Sequence, residues 1–496
     1  MRPRRPGDGG AGRRGRRGVE ERAHMSVPGA GLRALTVALP RWRLGRAEWS
    51  RAWGRRAGPG SRPVAGHDED SLTLAADALD RLPTAGAGAL YVAGTTAPDA
   101  ERATSSVLCA VLDLGPGLLT ADLGGSLRSG AAAALIAADR VRAHGAEVLV
   151  AAADRRDAEP GSDLEPVLGD AGAAARLGPA AASDLAELLG SASVAGDLPD
   201  AWRPSGEEDV RRADPAFAPR LTLGPGVRAA VERVCAEAGI DPGHLSAVAA
   251  GTAEQRLLAQ AVEAAGVPAG ATEASVRALA AAGDCGSASP WVAFAAALDR
   301  AAPGDLVVQV ATAGGGADAL LWRVAAGVEA WRAGGGSGLE APGGEEIPSY
   351  ARFLRLRGRL GAEPLNPYSS TALLWREGGD ELRLVGSECP ACGWFAYPRR
   401  PVCTSCGGRE LVERRLARRG RVVTWTEDHV FPSPEPPTVM AVAEMEGGGR
   451  FFGQLAAAPP GPVHAGMPVR LVLRRLHDGG GLAHYFWKLL PTEEAS

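Results

Sequence analysis

The chain of 496 residues has room for two or three domains and a sizeable core. Its net charge of -4 gives no electrostatic reason to bind nucleic acid or a membrane surface, and no apolar run reaches the roughly 18–20 residues that a bilayer demands. The seven cysteines, four of them in one short stretch, form no disulfide framework and point to a cytoplasmic protein.

Residues 1–28 are an Arg/Gly/Pro tract with almost no apolar content. Such a segment buries too little surface to offset its ordering entropy, so a disordered leader is expected. It lacks the apolar stretch of a secretory signal, and Met25 is a candidate start. A basic nucleic-acid arm is the alternative reading. Residues 29–326 alternate short apolar runs with Ala-rich stretches. ALYVAG (89–94), VLVAAAD (148–154), LSAVAAG (245–251) and LVVQVATAG (306–314) suit strands buried on both faces. SGAAAALIAADRVRAHG (129–145) is long enough for a helix and ends on Gly. Strands alternating with helices predict an α/β domain. Residues 327–348, rich in Gly with Pro and Glu, are expected to be a linker. From 349 to 415 a helical lead-in precedes paired cysteines. From 416 to 492 five β-like runs (RVVTWTEDHVF, TVMAVAEME, RFFGQLAA, MPVRLVLRRL and LAHYFWKLL) predict a small all-β barrel.

The large domain is similar to itself. ALYVAGTTAPD from Ala89 recurs as LSAVAAGTAEQ from Leu245. GGSLRSGAAAALIAA around Ser126 matches GDCGSASPWVAFAAAL around Ser287, and RAHGAEVLVAA matches RAAPGDLVVQVA. The three offsets are close to 160 residues and keep their order. Two such halves followed by GGGADALLWRV resemble the thiolase superfamily, and within it the ketoacyl synthase III and 3-hydroxy-3-methylglutaryl-CoA synthase branch. DEDSLTLAADAL (68–79), TADLGGSLRSGAAAAL (120–135), LGDAGAAARLG (168–178) and GDCGSASP (283–290) carry the resemblance. It implies duplicated αβαβα layers, an acyl-CoA or acyl-carrier-protein thioester as substrate or ligand, and a homodimer.

In that family a cysteine at the N-terminus of a central helix is the nucleophile, its thiolate favoured by the helix dipole. A histidine and an asparagine from the second half assist it. Here the nucleophile position falls on Ser126 or Leu127, the histidine on Gly251, the asparagine on Asp284, and the synthase glutamate near Thr96. The resemblance therefore leaves Ser126, Asp284 and Cys285 as candidates for chemistry. Ser126 would need an adjacent base and otherwise caps the helix; Cys285 is otherwise an inert buried thiol. Arg128, near a helix N-terminus, and Thr96 are candidates for ligand binding. An ion-paired Arg128 is the alternative.

Cys389-Pro-Ala-Cys392 and Cys403-Thr-Ser-Cys406 are two CxxC knuckles, which supply four thiolates for one tetrahedral zinc and leave no open position. Together with SYARFLRLRGRL (349–360), YSSTALLWRE (368–377) and the β-like runs, they resemble the acyl-CoA-associated zinc-ribbon/OB-fold proteins that accompany thiolases. This implies a rubredoxin-like ribbon, an OB-fold and a possible thiolase or hydratase partner. No stripe of Arg and Lys alternates with exposed aromatics as nucleic-acid stacking would need. The combined expectation is a thioester-dependent protein of C–C bond formation or cleavage without the usual cysteine. A non-catalytic scaffold is the alternative, and aldol cleavage suits such a site better than condensation.

Overall fold

The computed structural model describes residues 29–361, 370–430, 433, 435–456, 461–479 and 481–492. The expected leader and residues 362–369 of the lead-in lie outside them.

Nine strands form the central sheet: β1 (Ala30–Ala38), β2 (Ala89–Ala93), β3 (Leu119–Leu123), β4 (Val148–Asp154), β5 (Ala171–Pro179), β6 (Ala186–Val194), β7 (Leu245–Ala250), β8 (Leu306–Ala313) and β9 (Gly316–Val324). Their order is β7-β8-β9-β6-β1-β5-β4-β2-β3. The duplication expected from the repeats is visible in the pairing. In the first half β2 lies parallel to β4, β4 antiparallel to β5, and β5 antiparallel to β1. In the second half β7, β8, β9 and β6 repeat that pattern. The halves meet where β1 pairs antiparallel with β6, Gly31 opposite Glu187. The symmetry is incomplete. β3 has no counterpart strand beside β7 among the described residues; a backbone bond from Val248 N to the Ala271 carbonyl (2.9 Å) lies there instead.

Four helices of this domain matter below: α1 (Ser71–Leu79), α2 (Ser129–His144), α3 (Ala218–Ala238) and α4 (Ser289–Leu298). Alanine explains why α2 and α4 can run through the middle of the domain, since small side chains let two helices and strands of both halves approach closely. Every residue of α4 is buried, as is every residue of β4. The two helices begin against one another: the Trp291 indole donates to the Gly130 carbonyl at 3.0 Å. Gly130 is required there, because a Cβ would collide with the Ser287 carbonyl.

Residues 327–348 are not a free linker. Residues Gly327–Ala333 are helical, Val328 and Leu339 are buried, and Glu345–Glu346 pair in parallel with Trp42–Arg43. Gly content suggested flexibility, but apolar residues spaced among the glycines give this stretch its own anchors in the first domain.

After it come α5 (Tyr350–Leu356) and α6 (Thr371–Glu381). A three-stranded ribbon follows, with Val385–Glu388 central between Phe395–Ala396 and Val412–Arg415. The barrel consists of β10 (Arg419–Asp428), β11 (Thr438–Met445), β12 (Arg450–Gln454), β13 (Pro468–Gly479) and β14 (Leu482–Pro491), ordered β12-β11-β10-β13-β14 and antiparallel throughout. The five β-like runs of the sequence become these five strands.

The barrel does not hang from the first domain. One apolar cluster runs from Leu74 and Leu79 of α1 to Leu471 and Trp487 of the barrel. Charges surround it. The chain has a single lysine, Lys488, and its ammonium is buried 2.6 Å from Asp68. Arg474 reaches Glu69 at 2.8 Å, Arg470 reaches Asp77 at 3.0 Å, and the Tyr485 hydroxyl donates to Asp70 at 2.7 Å. Asp70 also caps α1 by accepting from Thr73 N. Burial alone would raise the Asp68 carboxyl, but Lys488, His67 and Arg474 overcome it and hold it at about 2. Asp77 is likewise held at about 2 against burial, by Arg81, Arg470 and Arg474. For Glu69 and Asp70 burial wins and the carboxyls are raised.

Candidate functional site

A cavity of about 80 Å³ opens where α2 and α4 begin, the place that the family resemblance assigns to chemistry. Leu127, Gly251 and Asp284, on which the resemblance places the nucleophile, histidine and asparagine, all line it. Leu127, not Ser126, is thus the residue of the Gly125–Gly130 turn that faces the cavity. Leu164, Leu168, Val210, Leu223 and Pro290 supply most of the apolar wall. Four of the five charged groups form neutralised pairs: Arg156 donates to Asp284 at 2.5 Å, and Arg212 pairs with Glu254, while the fifth, Asp200, accepts from the Thr222 hydroxyl at 3.2 Å. Neither a cysteine nor a serine is among the lining residues.

The other expected residues are committed elsewhere. The Ser126 hydroxyl accepts from Arg128 N at 3.2 Å, and its carbonyl from Ser129 N, so it shapes the turn that starts α2. Arg128 makes a two-pronged ion pair with the buried Asp318 of β9, at 2.5 and 2.8 Å. Thr96 donates to Asp154 at 2.8 Å and accepts from Arg155 N at 3.0 Å. Asp154, fully buried at the end of β4, also accepts from Thr95 N and Ser287 N, tying a first-half loop to the second-half turn. Cys285 has no exposed surface. Burial pushes its thiol up to about 12, although the Ser289 hydroxyl 3.3 Å away acts in the opposite sense. It is a thiol, not a thiolate, at neutral pH. Gly251 is more than a missing histidine: a Cβ there would collide with Ser289, whose Cα would lie at 2.7 Å.

Arg156, Arg212 and Glu254 line the cavity and Asp318 holds Arg128; the sequence reading singles out none of the four. A signal existed for two of them. Asp154-Arg155-Arg156-Asp157 breaks abruptly from an all-apolar strand, and Asp318 is the lone charge within GADALLW. Charges in such places must find partners.

In the ribbon the four sulfurs lie within 4.8 Å of one another, with Cys389–Cys406 and Cys392–Cys403 each at 3.6 Å. A tetrahedron with bonds of about 2.3 Å has edges of roughly 3.8 Å, so the cluster fits a zinc ion. Gly393 and Gly407 follow the knuckles at φ 73° and 77°, and each N–H returns to the carbonyl of the first cysteine of its pair. Left-handed glycines there let each pair of thiolates turn to one side.

Family models for the rubredoxin-like zinc ribbon domain and the C-terminal OB-fold domain of ChsH2 match residues 376–412 and 413–474. A DUF35 domain-containing scaffold protein of Methanocaldococcus jannaschii is 34% identical over 125 residues, 24% of this chain and 89% of that protein. A hydroxymethylglutaryl-CoA synthase of Thermococcus gammatolerans is 30% identical over 192 residues, 37% of this chain but only 55% of that enzyme. The solved structure of MvaS in complex with 3-hydroxy-3-methylglutaryl coenzyme A superposes with a TM-score of 0.57 at 19% identity, covering 69% of this chain and 95% of that one. No helix among the described residues is long and apolar enough to cross a membrane. The chain belongs to the DUF35 scaffold family through its zinc ribbon and OB-fold, and these are fused to a domain with the thiolase fold of hydroxymethylglutaryl-CoA synthases.

Proposed function

We propose that the chain is a scaffold that carries its zinc-ribbon/OB module on a non-condensing thiolase-fold body and serves an acyl-CoA-processing enzyme of the thiolase or hydratase type. The observation that carries this reading is Leu127 facing the cavity while Ser289 fills the place of a histidine at Gly251. Condensation through an acyl-enzyme needs a nucleophile and a base, and both places are closed. The scaffold relative in Methanocaldococcus jannaschii supports it from the other end of the chain. Zinc at the four cysteines holds the ribbon together and takes no part in chemistry, because four thiolates leave it no open position. A CoA-type thioester is held without a covalent bond. Leu198, Trp202, Phe217 and Leu221, which flank cavity-lining residues along the chain, are exposed and give an apolar approach for a pantetheine arm or a partner. The exposed strand β3 at the sheet edge is the natural seam for a homodimer.

The test is intact-mass analysis after incubation with acetyl-CoA, calorimetry with CoA, and turnover of a purified thiolase with and without this chain. The reading expects no adduct, no intrinsic condensation and a change in the partner's kcat or KM. An adduct on Ser126 or Cys285 sinks it.

Asp284 favours a second reading, cleavage of a β-hydroxyacyl thioester. Its carboxylate faces the cavity and would take the hydroxyl proton as the C–C bond breaks, leaving a carbonyl product and a thioester enolate that is then protonated. No acyl-enzyme is needed. Asp284→Asn abolishing a measured cleavage would favour this reading over the scaffold.

A further inference from the structure

The cavity walls are held from the C-terminal side of the chain. Three side chains of residues 350–359 reach three different wall segments. The Tyr350 hydroxyl donates to the buried Glu165 at 2.8 Å, and Glu165 also accepts from Gly161 N and the Trp49 indole, fixing the loop that carries Leu164 and Leu168. Arg357, buried at the end of α5, donates to Asp170 at 2.6 Å and lies 3.3 Å from Asp157. Asp170, with no exposed surface, accepts from Arg156 N at 2.8 Å, and Arg156 grips Asp284. Asp157–Ala158 pair in parallel with Asp209–Val210, and Arg359 pairs with Asp209, so the segment bearing Val210 and Arg212 is held too.

We propose that residues 350–359 are a strut built into the cavity, and that Arg357 is a positioning residue acting on Asp284 through Asp170 and Arg156. The zinc-ribbon/OB module, which follows this strut and is locked to α1, is then coupled to the cavity. The coupling runs through the strut alone: whatever loosens the strut loosens the site, and a ligand in the site tightens the strut by the same factor. The geometry supports coupling over mere adjacency, because two charge pairs, Arg357–Asp170 and Arg156–Asp284, are joined by the buried bond from Arg156 N to Asp170. Without Arg357, Asp170 faces Arg156 only through a backbone N–H, and Asp157 loses the nearest guanidinium. The half of the proposal that concerns ligand affinity rests on the reading of the cavity as a thioester site; the half that concerns wall order does not.

Hydrogen exchange read by mass spectrometry on the full zinc-loaded chain tests the wall. The Gly169 and Asp284 amides, bonded to the Asp284 and Val167 carbonyls, report on it directly. Arg357→Met should speed their exchange by about a hundredfold or more, the scale of one lost buried charge pair. Tyr350→Phe should act chiefly on 161–168. Arg418→Met, which removes a barrel contact to Val111 and Asp80, is the control and should leave residues 156–170 and 284–286 unchanged. Arg357→Lys keeps a charge for Asp170 and should recover part of the protection. Faster exchange confined to 350–361, or an equal response to Arg418→Met, overturns the strut. If Arg357→Met does not fold, Tyr350→Phe and Arg357→Lys decide by the same criterion. CoA calorimetry then reads affinity: Arg357→Met should weaken CoA about tenfold with zinc content unchanged. Unchanged CoA affinity overturns the coupling. If the wild-type chain binds no CoA, the thioester reading falls, and the exchange data still decide the strut.

Discussion

The ribbon and the cavity both correspond to places where related proteins carry defining chemistry, and the two differ in what they keep. The ribbon holds all four ligands at tetrahedral spacing. The cavity lies where α2 and α4 begin, yet its lining holds Leu127, Gly251 and Asp284 at the positions to which the resemblance assigns a nucleophile, a histidine and an asparagine. The difference teaches which of the two the fold depends on. A four-ligand zinc site fails as a unit, since removing one thiolate removes the ion and the folding energy it brings. The cavity contributes little to stability: the Ala-rich packing of α2 and α4 makes the core without it.

The largest effect is therefore expected at the ribbon. Cys389→Ser, or a strong chelator, should remove one equivalent of zinc and unfold the ribbon. Zinc binding contributes on the order of 10 kcal/mol to small zinc domains. Elemental analysis with a melt monitored in the ribbon checks this. A Cys389→Ser chain that melts like the wild type would break the comparison at its stronger end.

Next comes the charged seam between α1 and the barrel. Lys488→Met leaves Asp68 buried with only Arg474, at 3.9 Å, and His67 to offset its charge, and should cost on the order of 3–5 kcal/mol, as removing one partner of a buried pair does. Adding Asp68→Asn should recover much of the loss, a coupling readable in a double-mutant cycle by denaturant melts. The same seam sets an acid dependence. Asp68 and Asp77 sit at about 2 in the folded chain and near 3.9 when unfolded. Depressed carboxyls stabilise above the unfolded value, so their contribution is complete above about pH 5 and is lost as pH falls toward 2. The raised Glu69 and Asp70 act in the opposite sense and make the fall shallower. Melts across pH 2–6 should show it, and Asp77→Asn should flatten the slope.

What the sequence made legible follows from how local each signal is. The knuckles are read from two CxxC spacings, because a tetrahedral ion needs no more than that. The duplicated strands are read from runs buried on both faces, and the barrel strands from β-branched and aromatic runs between Pro and Gly turns. The strut was not legible. Tyr350, Arg357, Asp170 and Arg156 span nearly two hundred positions, and nothing in SYARFLRLRGRL marks Arg357 as buried and Arg355 as not. For Arg128 the ion-paired alternative is legible but its partner is not, since Asp318 lies 190 residues away. The 327–348 stretch was misread differently: Gly and Pro dominate its composition, but Val328, Leu339 and Ile347 decide where it lies.

The smallest expected effect sharpens the comparison most. Leu127→Cys restores the family's nucleophile at the cavity wall, and α2 behind it offers a helix N-terminus to favour a thiolate. A thiolate alone does not make an acyl-enzyme at a useful rate, because the leaving CoA sulfur and the later enolate need a proton donor and hydrogen bonds on the opposite side. That side is Gly251 pressed on Ser289, and Asp284 tied to Arg156. Leu127→Cys should fold, react with iodoacetamide faster than Cys285, and still gain no acetyl adduct from acetyl-CoA and no condensation product. Gly251→His added to it should destabilise the chain instead of completing the site, because the new Cβ meets Ser289. If the single variant instead forms a stable acetyl adduct, the cavity has lost only its nucleophile, and the distinction between a site emptied of chemistry and a ribbon kept whole narrows to one side chain.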